Sequence, residues 1–289
     1  MSSTLPDNFL GLPAAQSDYT AARFAVLPIP YDATTTFGVG TRDGPRAIIT
    51  ASQQVELYDE YLGRESHRAG VATLPALEPD ARGPEHMVAR VYSAARPIVR
   101  AGKFLIGLGG EHSITAGLVR AVRTRYKKLS VLQIDAHADL RDEYQGTPHS
   151  HACVMRRIHE LGVPVVGVGI RNYSAAEAKF IRAASKPIFS ARTCRTGATW
   201  IESVVGELTD EVYVTIDIDG FDPAYAPGTG TPEPGGLDWY QVTDLLAAIA
   251  RRRRFVAADV TEVRPLPPGT VTEFLAAKLI YRLIGLVDR

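Results

Sequence analysis

Six side chains that commonly bind divalent metal ions occur in three short clusters of this sequence. They are four aspartates and two histidines: His112, Asp135, His137, Asp139, Asp217 and Asp219. Each cluster follows an apolar run that is typical of a buried parallel strand. Neighbouring carboxylates at one edge of a sheet cannot cheaply remain ionised unless a cation lies between them. A mixed set of carboxylate and imidazole ligands suits ions such as manganese, so the pattern predicts a hydrolase with two metal ions.

The spacing within the clusters supports this prediction. Asp135, His137 and Asp139 are alternate residues, and alternate side chains of an extended segment point to one side. The pair Asp217 and Asp219 repeats that spacing. Taken singly, each motif also fits a turn, a helix cap or a hydrogen-bonded histidine, but together they favour a metal centre. Two divalent ions about 3.5–4 Å apart lower the pKa of a bridging water, and the hydroxide so formed can attack an electrophilic carbon or phosphorus.

Strand and helix patterns alternate along the chain, which predicts a mostly parallel sheet covered by helices on both faces. The predicted strands next to the site motifs are residues 103–108, 129–135, 212–217 and 255–260. Ser113 is predicted to cap the helix that follows it. In such a sheet, ligands bind beyond the carboxyl ends of the strands. One topology can therefore bring the three clusters to one edge.

No long linker and no internal repeat divides the sequence, so we expect a single domain over residues 1–289. Residues 1–20 show no periodic pattern. We expect them to form an N-terminal arm that packs late or at a subunit contact.

The charge balance argues against several classes of partner. Lys plus Arg and Asp plus Glu both number 32, so no basic excess suggests a nucleic acid or an anionic membrane surface. The basic run at residues 251–254 is short, and we interpret it as a solvated helix end. The apolar segment 271–287 contains Glu273, Lys278 and Arg282. It is predicted to be a packed helix and not a membrane span.

The cysteines and the N-terminus indicate the compartment. Cys153 and Cys194 provide no disulfide or zinc framework, and isolated thiols fit a reducing cytoplasm. The first residues show no signal-peptide pattern, so we expect a cytoplasmic protein. Cys153 lies close to His151, but its place at the start of a predicted helix indicates a buried apolar residue and not a nucleophile.

The motifs, in this order, resemble those of the ureohydrolases, the family of arginase, agmatinase and their relatives. The matching stretches are GVGTRDGPRAI at 38–48, GGEHS at 109–113, DAHAD at 135–139, SH at 150–151, DIDGFDP at 217–223, APGTGTPEPGG at 226–236 and DVTEV at 259–263. The resemblance covers residues 24 to 286 and is more specific for the family than for the substrate. It implies a three-layer αβα sandwich with a mostly parallel eight-stranded sheet, two Mn²⁺ per subunit, a trimer or hexamer, and hydrolysis of a guanidinium to urea and an amine.

The resemblance also implies a role for each potential ligand. Four residues are expected to bind one or both manganese ions: His112, Asp135, Asp139 and Asp217. His137 and Asp219 complete the set. Asp139 and Asp217 are expected to bridge the ions or to handle a proton.

Two further residues match catalytic positions of the family. His151 matches a histidine near the pocket mouth, where an imidazole could protonate the leaving amine; His149 is a competing candidate. Glu262 matches the carboxylate that pairs with the substrate guanidinium through parallel N–H bonds. The alternatives are a solvated loop histidine and a structural salt bridge from Glu262 to Arg264.

The loop at residues 146–153 bears on the substrate. It reads GTPHSHAC and lacks the Asn and the Gly that arginases place around this histidine. This counts against arginine and favours agmatine, which would yield putrescine for polyamine biosynthesis. Ala152 differs from the glycine common in agmatinases, so aminopropylagmatine, guanidinobutyrate and other guanidino compounds stay open. Four residues could contact substrate or serve only as turn and surface residues: Asp142, Glu143, Thr231 and Glu233.

Rival functions would leave other marks on the sequence. A formimino-compound hydrolase could share this metal site. A metal-dependent deacetylase would show a His-His pair, which this sequence lacks. A non-catalytic regulatory subunit that only binds metal or partners should lose ligands, whereas all six are present.

Overall fold

One sheet of parallel strands forms the centre of the protein. The computed structural model describes residues 5–288, and their eight strands pair in the order β2-β1-β3-β8-β7-β4-β5-β6. The strands are β1 Phe24–Ile29, β2 Val71–Thr73, β3 Phe104–Gly109, β4 Leu129–Ile134, β5 Val165–Ile170, β6 Ile188–Ser190, β7 Glu211–Asp217 and β8 Arg254–Thr261. Every pair of neighbouring strands is parallel. The predicted parallel sheet is confirmed.

Helices cover both faces of this sheet. They are α1 Ala14–Ser17, α2 Gly44–Ser52, α3 Pro84–Arg100, α4 Thr115–Val122, α5 Val154–Glu160, α6 Ala175–Ala183, α7 Ala191–Thr196, α8 Trp200–Glu207, α9 Trp239–Arg252 and α10 Val271–Val287. Helices α2, α8, α9 and α10 contribute to one buried apolar cluster, and α3, α4 and α5 contribute to the other. The three-layer αβα arrangement follows from these two cores.

Alternation along the strands explains the two cores. In β7, Val212, Val214 and Ile216 belong to the core on one face, while Tyr213 belongs to the core on the other. Successive side chains of a strand point to opposite faces, so the central strands carry apolar residues on both. No helix within residues 5–288 is both long and apolar enough to span a membrane.

The first described residues pack against the rest of the chain. The side chains of Phe9 and Leu12 are buried in the core shared with α2. The Phe9 backbone N–H donates to Thr73 Oγ1 over 2.9 Å, and the Leu10 N–H donates to Ser52 Oγ over 2.8 Å. Residues 5–20 therefore lie on their own domain, while residues 1–4 of the expected arm lie outside the described range.

One local prediction was wrong. Ser113 does not cap a helix, because a 3-10 turn at His112–Ile114 precedes α4, and the Ser113 hydroxyl donates to Glu111 Oε1 over 2.5 Å. The short strands β2 and β6 and the helix α7 carry no periodic pattern long enough to detect. Ser174 does cap α6, because its hydroxyl accepts from the Glu177 N–H and the Glu177 carboxylate accepts from the Ser174 N–H.

The second glycine of the GGEHS motif allows two strand ends to approach closely. A Cβ at Gly110 would lie 2.0 Å from the carbonyl oxygen of Tyr31. Because that oxygen belongs to backbone, no rotamer change can relieve the clash. We expect Gly110→Ala to lower the free energy of unfolding by about 3 kcal/mol, near the upper end for overpacking. Urea denaturation of the variant measures this loss.

Gly206→Ala is the matched control, because a Cβ at Gly206 in α8 meets nothing within 4 Å. An alanine in a helix is favoured over glycine, so this variant should be neutral or slightly more stable. Equal stability of both variants would contradict the close approach at Gly110.

Candidate metal centre and active site

The site motifs follow four strands that are adjacent in the middle of the sheet. In spatial order these strands are β3, β8, β7 and β4. The carboxyl ends of parallel strands share one edge, which is where α/β sheets bind ligands. The structure brings all six potential ligands together there, from segments that are far apart in sequence.

The chain after β4 reaches this edge by a different route from the one expected. The segment is not extended, because it bends at Ala136, and Asp139 has a left-handed backbone with φ 52°. His137 forms an isolated parallel bridge with Asn172, beyond the end of β5. The alternation argument for this segment was therefore wrong, although its three side chains do converge. A left-handed aspartate is tolerated better than most residues, because its short side chain bonds locally.

The first ligand group surrounds the ring of His112. The Nδ1 atom lies 3.1 Å from Asp139 Oδ2, 3.3 Å from Asp135 Oδ2 and 3.4 Å from Asp217 Oδ2. All four side chains are almost fully buried. His112, Asp135 and Asp139 offer ligand atoms close enough together to hold one ion.

The second ligand group shares Asp135 with the first. His137 Nδ1 lies 3.0 Å from Asp219 Oδ2 and 3.7 Å from Asp135 Oδ1. The backbone N–H of Ala136 donates to Asp219 Oδ1 over 3.0 Å and orients that carboxylate. His137, Asp135 and Asp219 could hold an ion of their own. Since Asp135 belongs to both groups, its carboxylate could contribute a ligand atom to each ion.

One buried ring nitrogen at this edge has no hydrogen-bond partner among the described residues, and a bound metal ion would satisfy its lone pair. His112 Nδ1 is buried and forms no hydrogen bond within residues 5–288, although three carboxylate oxygens lie within 3.4 Å. Its other ring nitrogen, Nε2, lies 2.8 Å from Thr215 Oγ1. An imidazole nitrogen among carboxylates is a suitable donor set for manganese. The residues present therefore fit a divalent ion.

Electrostatics lead to the same conclusion. Burial raises the pKa of Asp135 to about 7, and the neighbouring charge of Asp139 adds to this. Burial and the charges of Asp219 and Asp135 raise the pKa of Asp217 well above its usual value. Burial opposes protonation of His137, but the surrounding carboxylates of Asp219, Asp135 and Asp139 together outweigh it and raise the pKa of His137 to about 11. These shifts describe carboxylates and imidazoles that gather protons in place of a cation, and a divalent ion would release those protons.

Glu262 lies beside the first ligand group. It follows β8, is buried, and has a left-handed backbone with φ 60°. Its Oε1 accepts from the His112 backbone N–H over 2.8 Å. Within residues 5–288 Glu262 forms no salt bridge with Arg264, whose Nε donates to the Val39 carbonyl over 2.9 Å. The Glu262 carboxylate lines the cleft that also contains His137, Asp139, Asp217 and Asp219.

His151 lines the same cleft, and Thr34 contacts the Nδ1 side of its ring. The Thr34 hydroxyl donates to Glu111 Oε1 over 2.7 Å. Since that proton is used, Thr34 Oγ1 can accept from His151 Nδ1, which lies 3.1 Å away. This leaves His151 Nε2 for the cleft, and burial lowers the pKa of the ring. His149 is not among the cleft-lining residues.

Cys153 follows the same loop but plays no part in the cleft. It is buried, and burial raises the pKa of its thiol to about 11. A thiol that stays protonated is a poor nucleophile. The interpretation of Cys153 as a buried apolar residue is confirmed.

The structure shows where the four residues lie that the sequence left as either substrate contacts or turn and surface residues. Thr231 lines the cleft, and its hydroxyl lies 3.5 Å from Asp219 Oδ2. The Glu233 carboxylate accepts from Asn172 Nδ2, next to His137. Asp142 is 74% exposed and pairs with Arg157 at 2.7 Å, outside the cleft. Glu143 does not line the cleft either.

Glu177 is a cleft residue that the sequence analysis missed. Only 4% of its surface is exposed, and its carboxylate accepts from Ser174 and from the Leu140 N–H. From the sequence it appears only as the third residue of a capped helix. Its position in the cleft depends on how α6 packs, which no local pattern records.

Comparisons with known proteins identify the family of this chain. A family model described as "Arginase family" matches residues 22–285. The N(1)-aminopropylagmatine ureohydrolase of Synechocystis sp. is 42% identical over 287 residues, covering 97% of this chain and 94% of that protein. The agmatinase of Pyrococcus horikoshii is 35% identical over 277 residues, covering 94% of each.

A solved structure agrees in fold. The crystal structure of agmatine ureohydrolase of Thermoplasma volcanium superposes with a TM-score of 0.88 at 33% identity, covering 98% of this chain and 94% of that one. Residues 22–285, which the family model matches, include every segment that carries a site motif. The chain therefore belongs to the arginase family, as its motifs indicated.

Proposed function

We propose that this protein hydrolyses the guanidinium group of an agmatine-type amine to urea and an amine, with two manganese ions. The observation that carries the proposal is the buried carboxylate of Glu262, which lines one cleft together with members of both potential ligand groups, Asp139 of the first and His137 and Asp219 of the second. A guanidinium is a poor electrophile, so its hydrolysis needs both an activated water and a fixed orientation. Ions held by the two ligand groups would activate the water, and Glu262 would fix the orientation of the guanidinium.

The ions would be held by the six clustered residues. His112, Asp139 and Asp135 would hold one ion, and His137, Asp219 and Asp135 the other, with Asp217 at the first group. Bound divalent metal would lower the pKa of a water to near neutrality. Asp135 is the carboxylate that belongs to both ligand groups, and bridging or proton handling by Asp139 and Asp217 stays a prediction.

Glu262 would orient the substrate. Burial and the nearby Glu111 charge raise the pKa of Glu262 well above its usual value. A guanidinium in the cleft would favour the ionised carboxylate, and a planar cation can donate two parallel N–H bonds to it. Because His112 N–H already holds Oε1, the carboxylate is fixed before substrate arrives.

His151 would move the proton to the leaving amine through Nε2. We expect His151→Asn to lower kcat about 100-fold or more, because general acid–base groups typically contribute 10²–10⁴-fold. Metal content should not change, since His151 lies outside both ligand groups. Steady-state urea release and metal analysis by mass spectrometry measure the two quantities.

His149→Asn is the matched control for this prediction. His149 belongs to the same loop but does not line the cleft, so its loss should leave kcat within about twofold, as for substitutions away from the chemistry. Equal kcat values for the two variants would refute the role of His151.

The substrate is proposed from the relatives and from the charge of the cleft. The relatives reported above act, by their names, on N(1)-aminopropylagmatine or on agmatine. Both compounds carry a distal cation, and the buried Glu177 carboxylate lies on the cleft wall. Arg141 also lines the cleft, with its Nε 3.9 Å from the Glu177 carboxylate, which leaves guanidinobutyrate as a candidate with an anionic tail. We propose agmatine and its aminopropyl derivative as the first substrates to test.

A panel assay tests the function. Manganese-loaded protein is incubated in parallel with aminopropylagmatine, agmatine, guanidinobutyrate and arginine, and urea is measured. Preference for either of the first two supports the proposal. Urea from guanidinobutyrate alone would assign the tail-binding role to Arg141, and no urea from any compound with two ions bound would refute hydrolysis of these substrates.

The remaining expectations belong to the same proposal. We propose that the chain is a single domain, that it acts as a trimer or hexamer in the cytoplasm, and that its physiological product feeds polyamine synthesis. Sedimentation analysis of the purified protein tests the assembly.

A further inference from the structure

A buried chain of hydrogen bonds connects Asp259 to the proposed ligand His112. Asp259 is fully buried in β8, directly beside Thr215 in β7. The Thr215 hydroxyl donates to Asp259 Oδ1 over 2.6 Å. His112 Nε2 lies 2.8 Å from the same Thr215 oxygen. The chain therefore runs from inside the sheet to the edge where the ligands lie.

Two more hydroxyls hold the Asp259 carboxylate. Its Oδ2 accepts from Thr115 Oγ1 over 2.9 Å and from the buried Tyr213 hydroxyl. Burial raises the pKa of Asp259, whereas the three hydroxyl donors favour its ionised form. An ionised carboxylate only accepts hydrogen bonds, which agrees with three donors converging on it.

The sheet leaves room for this carboxylate. Gly107 in β3 pairs with Asp259 from the side opposite Thr215. A Cβ at Gly107 would lie 3.1 Å from the Asp259 Cβ and 2.6 Å from a Leu118 methyl carbon. A buried charge is costly, and packing alone could fill this position with an apolar side chain. The arrangement therefore indicates a role beyond packing.

The hydrogen-bond directions determine which His112 nitrogen carries a proton. Thr215 has one hydroxyl proton, and it donates this proton in its hydrogen bond to the Asp259 carboxylate. The Thr215 oxygen can then only accept, so His112 must donate from Nε2. Nδ1 faces the carboxylates of the first ligand group, and its lone pair is the one that would be offered to a cation bound there. Second partners of metal-binding histidines fix the ring in this way.

We infer that Asp259 is a positioning residue that acts through Thr215 to keep the proton of His112 on Nε2 and its Nδ1 free for metal. The inference rests on the proposed metal centre, but it concerns residues outside the ligand set. An asparagine at position 259 could donate to Thr215 Oγ1. The Thr215 hydroxyl would then turn towards His112 Nε2, and the ring would carry its proton on the wrong nitrogen.

The first test compares Asp259→Asn with the wild type in two measurements. Manganese affinity is measured by calorimetric titration with the metal alone. The Nε2–H signal of His112 is followed by ¹⁵N NMR of zinc-loaded protein, because zinc is diamagnetic. We expect affinity at one site to fall about 10- to 100-fold and the hydrogen-bonded Nε2–H signal to be lost. Wild-type affinity with an unchanged Nε2–H signal would overturn the inference.

A pair of Thr215 variants keeps the test decisive if Asp259→Asn does not fold. Thr215→Val keeps the shape but removes the acceptor, whereas Thr215→Ser keeps the hydroxyl. We expect the affinity loss and the NMR change with valine and rescue of both with serine. Tyr213→Phe removes one donor to Asp259 but leaves the Thr215 link, so it should keep the Nε2–H signal. Identical behaviour of the valine and serine variants would refute the inference.

The outcome can be separated from that of the proposed function, because neither readout needs substrate. A wild type that binds manganese but releases no urea would refute the function, while the Asp259 measurements would still decide the positioning role. A wild type that binds no manganese would refute both.

Discussion

Asp217→Asn should abolish urea release and weaken metal retention. Asp217 ends β7, is almost fully buried, and places Oδ2 3.4 Å from His112 Nδ1. Asparagine keeps the shape but removes the charge that balances the cations. Changes one step removed from a metal typically cost 10–100-fold, so loss of a ligand should cost more than about 100-fold in activity. Urea assays and metal content after gel filtration measure both effects.

Asp139→Asn should behave in the same way, and its backbone makes the result easy to interpret. Asp139 has a left-handed φ of 52°, a conformation that asparagine also tolerates. The variant therefore removes a charge without adding backbone strain. Full activity in either variant would refute the bimetal assignment.

Asp210→Asn is the control for both. Asp210 precedes β7 at the opposite end of the strand and its side chain is 93% exposed. Its loss should change neither metal content nor urea release. A comparable loss in this variant would show that the effects come from folding and not from the metal centre.

Glu262→Gln should lower kcat/KM while both ions remain bound. Glutamine can still accept from the His112 N–H, but it has no charge for the guanidinium. Hydrogen bonds to charged groups contribute about 1.5–3 kcal/mol, which corresponds to a loss of about 10- to 150-fold. Kinetics with the best substrate of the panel, together with metal analysis, test this expectation.

The metal content of this variant decides between two roles. A Glu262→Gln protein that has lost metal would make Glu262 a ligand or a structural residue and not a substrate contact. Glu143→Gln is the control, because Glu143 is an exposed loop carboxylate outside the cleft. It should keep wild-type kinetics.

The sequence predicted the sheet and the convergence of the ligands well, because both depend on long, regular patterns. Apolar runs of six to eight residues mark β3, β4, β7 and β8, and topology then brings their ends together. The sequence did not predict the turn at Ala136 or the left-handed backbone of Asp139, because these depend on contacts with the neighbouring loop. Three-residue strands such as β6 have no detectable period.

The residues that support the site were hardest to predict. Thr215 and Asp259 each lie within an apolar strand, and only the register of β7 and β8 brings them together. Glu177 reads as a helix cap, and Asp142 reads as a possible substrate contact. Packing decides these roles: it turns Glu177 into the cleft and pairs Asp142 with Arg157 outside it.

The separation of the site residues along the chain has a consequence for the life of the protein in the cell. His112 and Glu262 are in contact although 150 positions separate them, and the ligands between them lie on different strands. The cleft can therefore form only after four central parallel strands have paired, a slow process in chains rich in distant contacts. Metal that binds only the native state stabilises it by mass action. Chains without a bound ion would thus be unfolded for a larger fraction of the time and more open to proteases.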